Sequence, residues 1–224
     1  MPEHVHVHAP HELSESSEAM TGRERAFEIA AAVMLSLATV AIAWSGYQAA
    51  RWSGLQAEKY TQASTARSQA NRAAVRGSQE RLQDLLNFNR WLEVSTEGDT
   101  QLADLYERRF RDEFRPAFEA WLAQDPLNNP SAEASPLRVK EYVIQNEVES
   151  NRLETIGDER FAEGRDSTEN ADDYIFLTVL FAIVLFFAGI SLRFAWPLIR
   201  TIVLAIGAVI LAYGLFELSV MNTH

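Results

Sequence analysis

Few residues in this chain are equipped for chemistry. Four of its five histidines, His4, His6, His8 and His11, fall within the first eleven residues. Imidazoles so spaced beside acids can bind Zn²⁺, Ni²⁺ or Cu²⁺. A tract with no packed surroundings fixes no coordination geometry, so the competing reading is a solvated polar tail. A second set, Asp166, Glu169, Asp172 and Asp173, occupies about two helical turns just ahead of an apolar block. Repeated around an oligomer, these carboxylates would make a ring of negative charge of the kind that draws cations to a channel mouth. The competing reading is an acidic face turned to water.

Enzymatic machinery is not evident. Between residues 12 and 223 there is no histidine, and the chain has no cysteine, which excludes disulfides, thiol nucleophiles and thiolate metal sites. No nucleophile elbow, glycine-rich phosphate loop or HExxH motif occurs. Asp112 and Glu113 adjoin Arg109, Arg111 and Arg115 in RRFRDEFRP, where ion pairing along an exposed helix is expected. The expectation is a non-enzyme without a cofactor. A net charge of -11, carried almost wholly by the polar stretches, argues against nucleic acid as a partner, and against anionic lipid surfaces as a partner of the exposed domain.

The frame that positions these residues is set by three apolar blocks, at 27–47, 174–192 and 198–218. Each is about 20 residues long, enough to cross a hydrocarbon layer of roughly 30 Å as a helix. The first is longer than a secretory signal core and has Trp44 and Tyr47 at its end and Trp52 just beyond, which suit the headgroup interface of a retained span. Ionisable residues within the blocks are confined to the ends, as Glu28, Arg200 and Glu217, where they can snorkel to water. Gly189 in the second block and Gly207, Ala208, Ala212 and Gly214 in the third offer small faces for close helix contact. Arg23, Arg25, Arg193 and Arg200 fall on one side of a three-span chain. The positive-inside rule puts that side in the cytoplasm and the domain 48–173 outside it, although Arg51, Lys59 and Arg67 count the other way.

Residues 1–22 hold too little apolar surface to offset ordering entropy and are predicted to be disordered. From 48 the sequence is proline-free and rich in Ala, Gln, Arg and Glu as far as Val94, so the first span is predicted to run on into a helix of nearly 70 residues. Ala63, Ala66, Ala70 and Ala73 recur at spacings of three and four, marking a coiled-coil-like seam where a helix can approach closely and where copies of the chain are expected to touch. Ser95–Asp99 is turn chemistry, with Gly98 suited to positive φ and Asp99 or Thr100 to capping. A shorter helix is predicted to Ala123, kinked or restarted at Pro116, with Phe110, Phe114, Phe118 and Trp121 on one side. DPLNNPSAEASP, residues 125–136, reads as a loop. From Leu137 a helix is predicted to return through Asp173 into the second span. The fold class expected is an all-α membrane protein: three transmembrane helices with a long extramembrane antiparallel helical hairpin or bundle between spans 1 and 2.

The segments RRFRDEFRPAFEAWLAQDPLNNP (108–130) and AWSGYQAARWSGLQA (43–57), with the order of one span, a helical domain and a two-span hairpin, resemble a family of uncharacterised bacterial three-span membrane proteins. The resemblance implies a bacterial inner-membrane location and brings no reaction, ligand or catalytic residue. The functional expectation is a non-enzymatic, self-associating protein of the lipid bilayer, a homo-oligomer whose helical domain serves as an assembly or interaction module for itself or for a protein partner. The alternative expectation is an oligomeric ion-conducting or mechanosensitive pore with an acidic mouth.

Overall fold

A computed structural model describes residues 22–221 and 223. Its elements are α1 (Gly22–Thr96), α2 (Thr100–Glu107), α3 (Arg115–Leu122), a 3-10 turn at Pro136–Arg138, α4 (Gln145–Ser191) and α5 (Pro197–Val220), with no strand among the described residues. Three helices, α1, α4 and α5, are long and apolar enough to cross a membrane. The chain is all-helical, and its apolar helices mark it as a membrane protein. It divides into two compact units: residues up to Gly54 together with those from Ser167, and Leu55–Asp166.

In the first unit the three apolar helices share a core of Met34, Ala38, Tyr174, Phe181, Val184 and Leu211, among others. Their outer faces are apolar too: Val40, Phe186 and Val209 are exposed, as expected where hydrocarbon is the solvent. Small residues set the spacing. A Cβ at Gly207 would lie 2.9 Å from the Met34 side chain, and one at Gly214 would lie 2.7 Å from the Phe181 ring. Gly189 has no such neighbour within 4 Å. Pro197 opens α5, where its missing N–H costs nothing and its fixed φ suits a first turn.

In the second unit, burial along α1 repeats every seven residues through Ala63, Ala70, Gly77, Asp84 and Trp91, flanked by Ala66 and Ala73. The facing part of α4 repeats with the same period through Ser150, Gly157 and Gly164. Cross-contacts run in opposite order along the two helices: Lys59 with Glu163, Arg67 with Asp158, and Arg81 with Glu147. The Ser150 hydroxyl donates to the Ala70 carbonyl at 3.0 Å, an approach that only small side chains permit.

α1 ends at the turn its sequence announces. Gly98 takes φ 86°, and the Asp99 carboxylate accepts from the Leu102 N–H at 3.0 Å to cap α2. The following helix restarts at Pro116, as its sequence predicts, with the proline in the first turn of α3, but residues 108–114 ahead of it form turns and not the end of a helix. Phe110 and Phe114 therefore lie outside any helix, yet both are buried with Phe118 and Trp121 against Phe88 and Trp91. The returning helix is also later than predicted, starting at Gln145 rather than Leu137. Its predicted first turns are instead an irregular segment whose Val139 and Ile144 are buried, so tertiary packing overrides local helix propensity there.

Candidate functional site

The second unit contains one densely connected polar cluster, built around Asp84. α1 carries this carboxylate into the interior, where its residue is 1% exposed, because it falls at the next position of the seven-residue repeat after Gly77. Arg111 donates to it through Nε at 3.1 Å and Nη2 at 3.3 Å, and the Tyr142 hydroxyl donates at 3.1 Å. The turn at 108–114 and the irregular segment before α4 supply these two donors, so both departures from regular helix serve this cluster. Arg111 also reaches Glu80 at 3.2 Å, which accepts from Asn146 at 2.7 Å. Arg111 was expected to pair along its own helix. It pairs chiefly with α1, and only at 4.0 Å with its neighbour Glu113, because the chain around it is not helical and turns it inward.

Burial pushes the Asp84 carboxyl above the usual carboxylate range, more than Arg111 and Tyr142 pull it down. Burial likewise raises Tyr142, with the Asp84 charge adding to it, so the phenol stays protonated as a donor. Burial works against the Arg111 charge, but Asp84, Glu80 and Glu113 outweigh it and hold the guanidinium charged. Each of these groups is thus committed to a partner. The cluster joins α1 to the returning chain and has no nucleophile poised by a base.

A second feature is open. On the same unit a groove of about 830 Å³ is lined by Tyr60, Arg67, Arg72, Val75, Arg76 and Phe161, among others. The Tyr60 and Phe161 rings lie 5.2 Å apart, with Tyr60 accommodated because residue 164 is glycine: a Cβ there would fall 2.6 Å from the ring. Arg67 stands 5.0 Å over Phe161 and bonds Asp158 at 2.9 Å. Arg72 meets the Ser68 hydroxyl at 3.3 Å, and among the described residues neither Arg72 nor Arg76 has a carboxylate within ion-pair distance. Between Ser64 and Gln79 α1 carries Arg67, Arg72 and Arg76 and no acid. Farther along, Val75, Leu82 and Leu86 are exposed, at spacings of seven and four that put them on one side of the helix, away from the alanine seam.

The predicted site residues are placed as follows. Ala63, Ala66, Ala70 and Ala73 are 1–7% exposed, and their seam is closed by α4 of the same chain. The burial that was expected from a second copy is therefore supplied within one chain. Asp166, Glu169, Asp172 and Asp173 are all exposed on α4; Asp166 belongs to the second unit and the other three to the first. His4, His6, His8 and His11 lie outside the described residues. No group of three or more His, Cys, Asp or Glu side chains suited to a metal occurs among the described residues. Sequence reasoning missed Asp84 and the arginine groove; the seven-residue repeat that places Asp84 beside Gly77 was the available signal. The chain matches no protein-family profile, no curated protein and no solved structure.

Proposed function

We propose that the protein is a non-enzymatic, self-associating membrane protein whose domain between the first two spans is an antiparallel α1–α4 hairpin acting as an assembly module. The observation that carries this is the outward side of α1: a groove whose Arg72 and Arg76 are committed to no acid among the described residues, continued by exposed Val75, Leu82 and Leu86. An exposed apolar stripe beside unneutralised base is what a partner surface supplies and water does not. The facing stretch of α4 carries Glu154 and Glu159, both exposed, so a second copy offers complementary charge. On this reading contacts between copies use the groove that borders the alanine seam at Ala63 and the outward residues Val75, Leu82 and Leu86. The resemblance of 43–57 and 108–130 to bacterial three-span proteins supports an inner-membrane location, and Arg23, Arg25, Arg193 and Arg200 support a cytoplasmic placement of that side.

Native mass spectrometry in mild detergent tests the reading. The unmodified protein is expected as a homo-oligomer, and Arg72→Glu/Arg76→Glu or Leu82→Asn/Leu86→Asn is expected to shift it to monomer with helicity retained. Ala66→Glu/Ala70→Glu, by contrast, is expected to unfold the domain, since those residues face α4. A monomeric unmodified protein, or an oligomer untouched by both surface pairs, sinks the proposal. Cation conductance by the oligomer in planar bilayers would replace it with a pore. The side is read separately: Ser131→Cys, exposed in the loop, should react with an impermeant maleimide without lysis of the inner membrane.

A further inference from the structure

The first unit contains a feature that the assembly reading does not use. Between the beginning of α1 and the first half of α5 runs a groove of about 500 Å³ lined by Phe27, Ala30, Met34, Leu204, Ala205 and Ala208, among others. Its α5 side includes two small residues, Ala205 and Ala208, which leave an open furrow between two helices that run side by side. From Phe27 to Met34 its length is roughly 10 Å along the helix, and its lining is almost wholly apolar. One end differs. Arg200, next to the lining residue Thr201, places its guanidinium carbon 5.1 Å from the centre of the Phe27 ring, and Arg23, one turn before Phe27, places its own at 5.9 Å. Two guanidinium groups thus gather around one ring at one end of an apolar groove.

Neither cation is neutralised by another described residue. Among the described residues Arg23 and Arg200 form no ion pair, and the Arg200 Nε is buried without a hydrogen-bond acceptor. A donor buried without an acceptor is costly and rare. The first turn of α5 adds to the local field, since it has no acidic residue and no side-chain cap, leaving the positive end of its dipole unopposed. At this level of the chain Arg23, Arg25, Arg193 and Arg200 outnumber Glu24 and Glu28. Glu28 lies about a quarter turn around α1 from Phe27.

We infer that this groove is a binding site for an anionic phospholipid, its phosphate held between Arg23 and Arg200 and an acyl chain laid along Phe27, Ala30 and Met34 on one side and Leu204, Ala205 and Ala208 on the other. Guanidinium groups bind phosphate oxygens in bidentate fashion, and basic pockets between transmembrane helices hold lipid headgroups. The alternative occupant, a helix from a second copy, is disfavoured by symmetry: copies inserted in the same sense bring their own arginines to this level, and like charges meet. The acidity of the second unit argues against lipid surfaces there, whereas this end of the spans is basic.

The test is native mass spectrometry of the full chain in mild detergent, titrated with phosphatidylglycerol or with phosphatidylcholine of the same acyl chains. The unmodified protein should retain phosphatidylglycerol preferentially, a comparison that needs no variant. Arg23→Gln and Arg200→Gln should each lower that preference roughly fivefold, and together about thirtyfold, with the helical circular dichroism and its melting unchanged. Arg25→Gln/Arg193→Gln should lower it by less than twofold, and Ala205→Phe/Ala208→Phe, which fills the groove, should remove the bound lipid. Equal retention of the two lipids would overturn the inference. An Arg25/Arg193 loss as large as that of Arg23/Arg200 would also overturn it, showing diffuse surface attraction. So would equal thermal stabilisation by glycerol phosphate, which would make the ligand a soluble anion, or a lost preference when the Ala205/Ala208 variant gains a second copy.

Discussion

Between Tyr60 and Gly77, α1 meets the returning chain through alanine and glycine; between Asp84 and Val94 it meets it through rings and one buried carboxylate. The first stretch gains from nearness. Each alanine removes little area from water, at about 25 cal/mol per Å², but backbones close enough for the Ser150–Ala70 hydrogen bond make dense dispersion contacts. The second gains from bulk, since Phe88, Trp91, Phe110, Phe114, Phe118 and Trp121 interlock with ring centroids 4.7–6.3 Å apart. The two stretches therefore fail in opposite ways, one by addition of atoms and the other by their removal.

The strongest test removes atoms from the aromatic stretch. Phe118 is 2% exposed and touches rings on several sides, so Phe118→Ala should cost about 3–5 kcal/mol. Trp91, 4.7 Å from it, gives the readout as a shifted fluorescence spectrum in a denaturant titration. A loss under about 1 kcal/mol would mean that the rings are not the structural centre described. Next comes the ion pair. Arg111→Met strands Asp84 in the interior and should cost about 3 kcal/mol, while Arg111→Met with Asp84→Leu should recover most of it. Equal losses for the single and double variants would show that Arg111 acts by packing alone.

Additions to the small-residue stretch should cost less. Ala70→Leu must push α4 away where Ser150 now touches the Ala70 carbonyl, and about 1–3 kcal/mol is expected. Gly77→Ala gives a sharper test because two effects oppose: alanine favours helix by up to about 1 kcal/mol, but its Cβ would fall 2.8 Å from the Glu147 side chain and 3.2 Å from the Glu147 backbone nitrogen. Net destabilisation of about 1 kcal/mol is expected, and a rise in melting temperature would show that the helices can separate at little cost.

The smallest effect is one of pH. Since Asp84 is raised on folding, the folded state binds its proton more tightly than the unfolded one, so its contribution is full below the ordinary carboxylate range and is lost as pH rises through the folded value. Glu149 and Glu163, lowered by Arg152 and by Lys59 with Arg160, act in the reverse sense, losing their contribution as pH falls. The stability difference between the unmodified protein and Asp84→Asn should therefore narrow with rising pH above the ordinary carboxylate value. A difference that widens would mean that Arg111 outweighs burial.

How much of this could be read from the residues follows the same division. The apolar helices are legible because membrane-scale length and composition decide them without reference to any partner. Gly98 and Asp99 are legible because turn and cap chemistry is local. The alanine spacing identifies a seam, but what closes it is hidden: Gly157 and Gly164 read locally as weak points in a helix, and their use appears only opposite Arg67 and Tyr60. Arg111 was hidden more deeply. RRFRDEFRP has the composition of an exposed helix, and nothing nearby shows that it unwinds to bond a carboxylate 27 residues earlier.

The shared seven-residue repeat of α1 and α4 has a consequence for uniqueness. Sliding α4 along α1 by one repeat, about 10 Å, would set small residue against small residue again, and Arg81 would find Glu154 where it now holds Glu147. The small residues of the seam are by themselves close to degenerate in register, although the slide would also set Arg67 against Arg165 and Lys59 against Asn170. Asp84 is not: the slide would carry Tyr142 away from it, since Tyr142 stands just ahead of α4. A buried polar residue in a repeating interface can select one alignment while adding little net stability. Asp84 with its two donors indexes the helices, so a domain lacking it would be expected to exchange among staggered pairings that each leave a different set of outward residues in line.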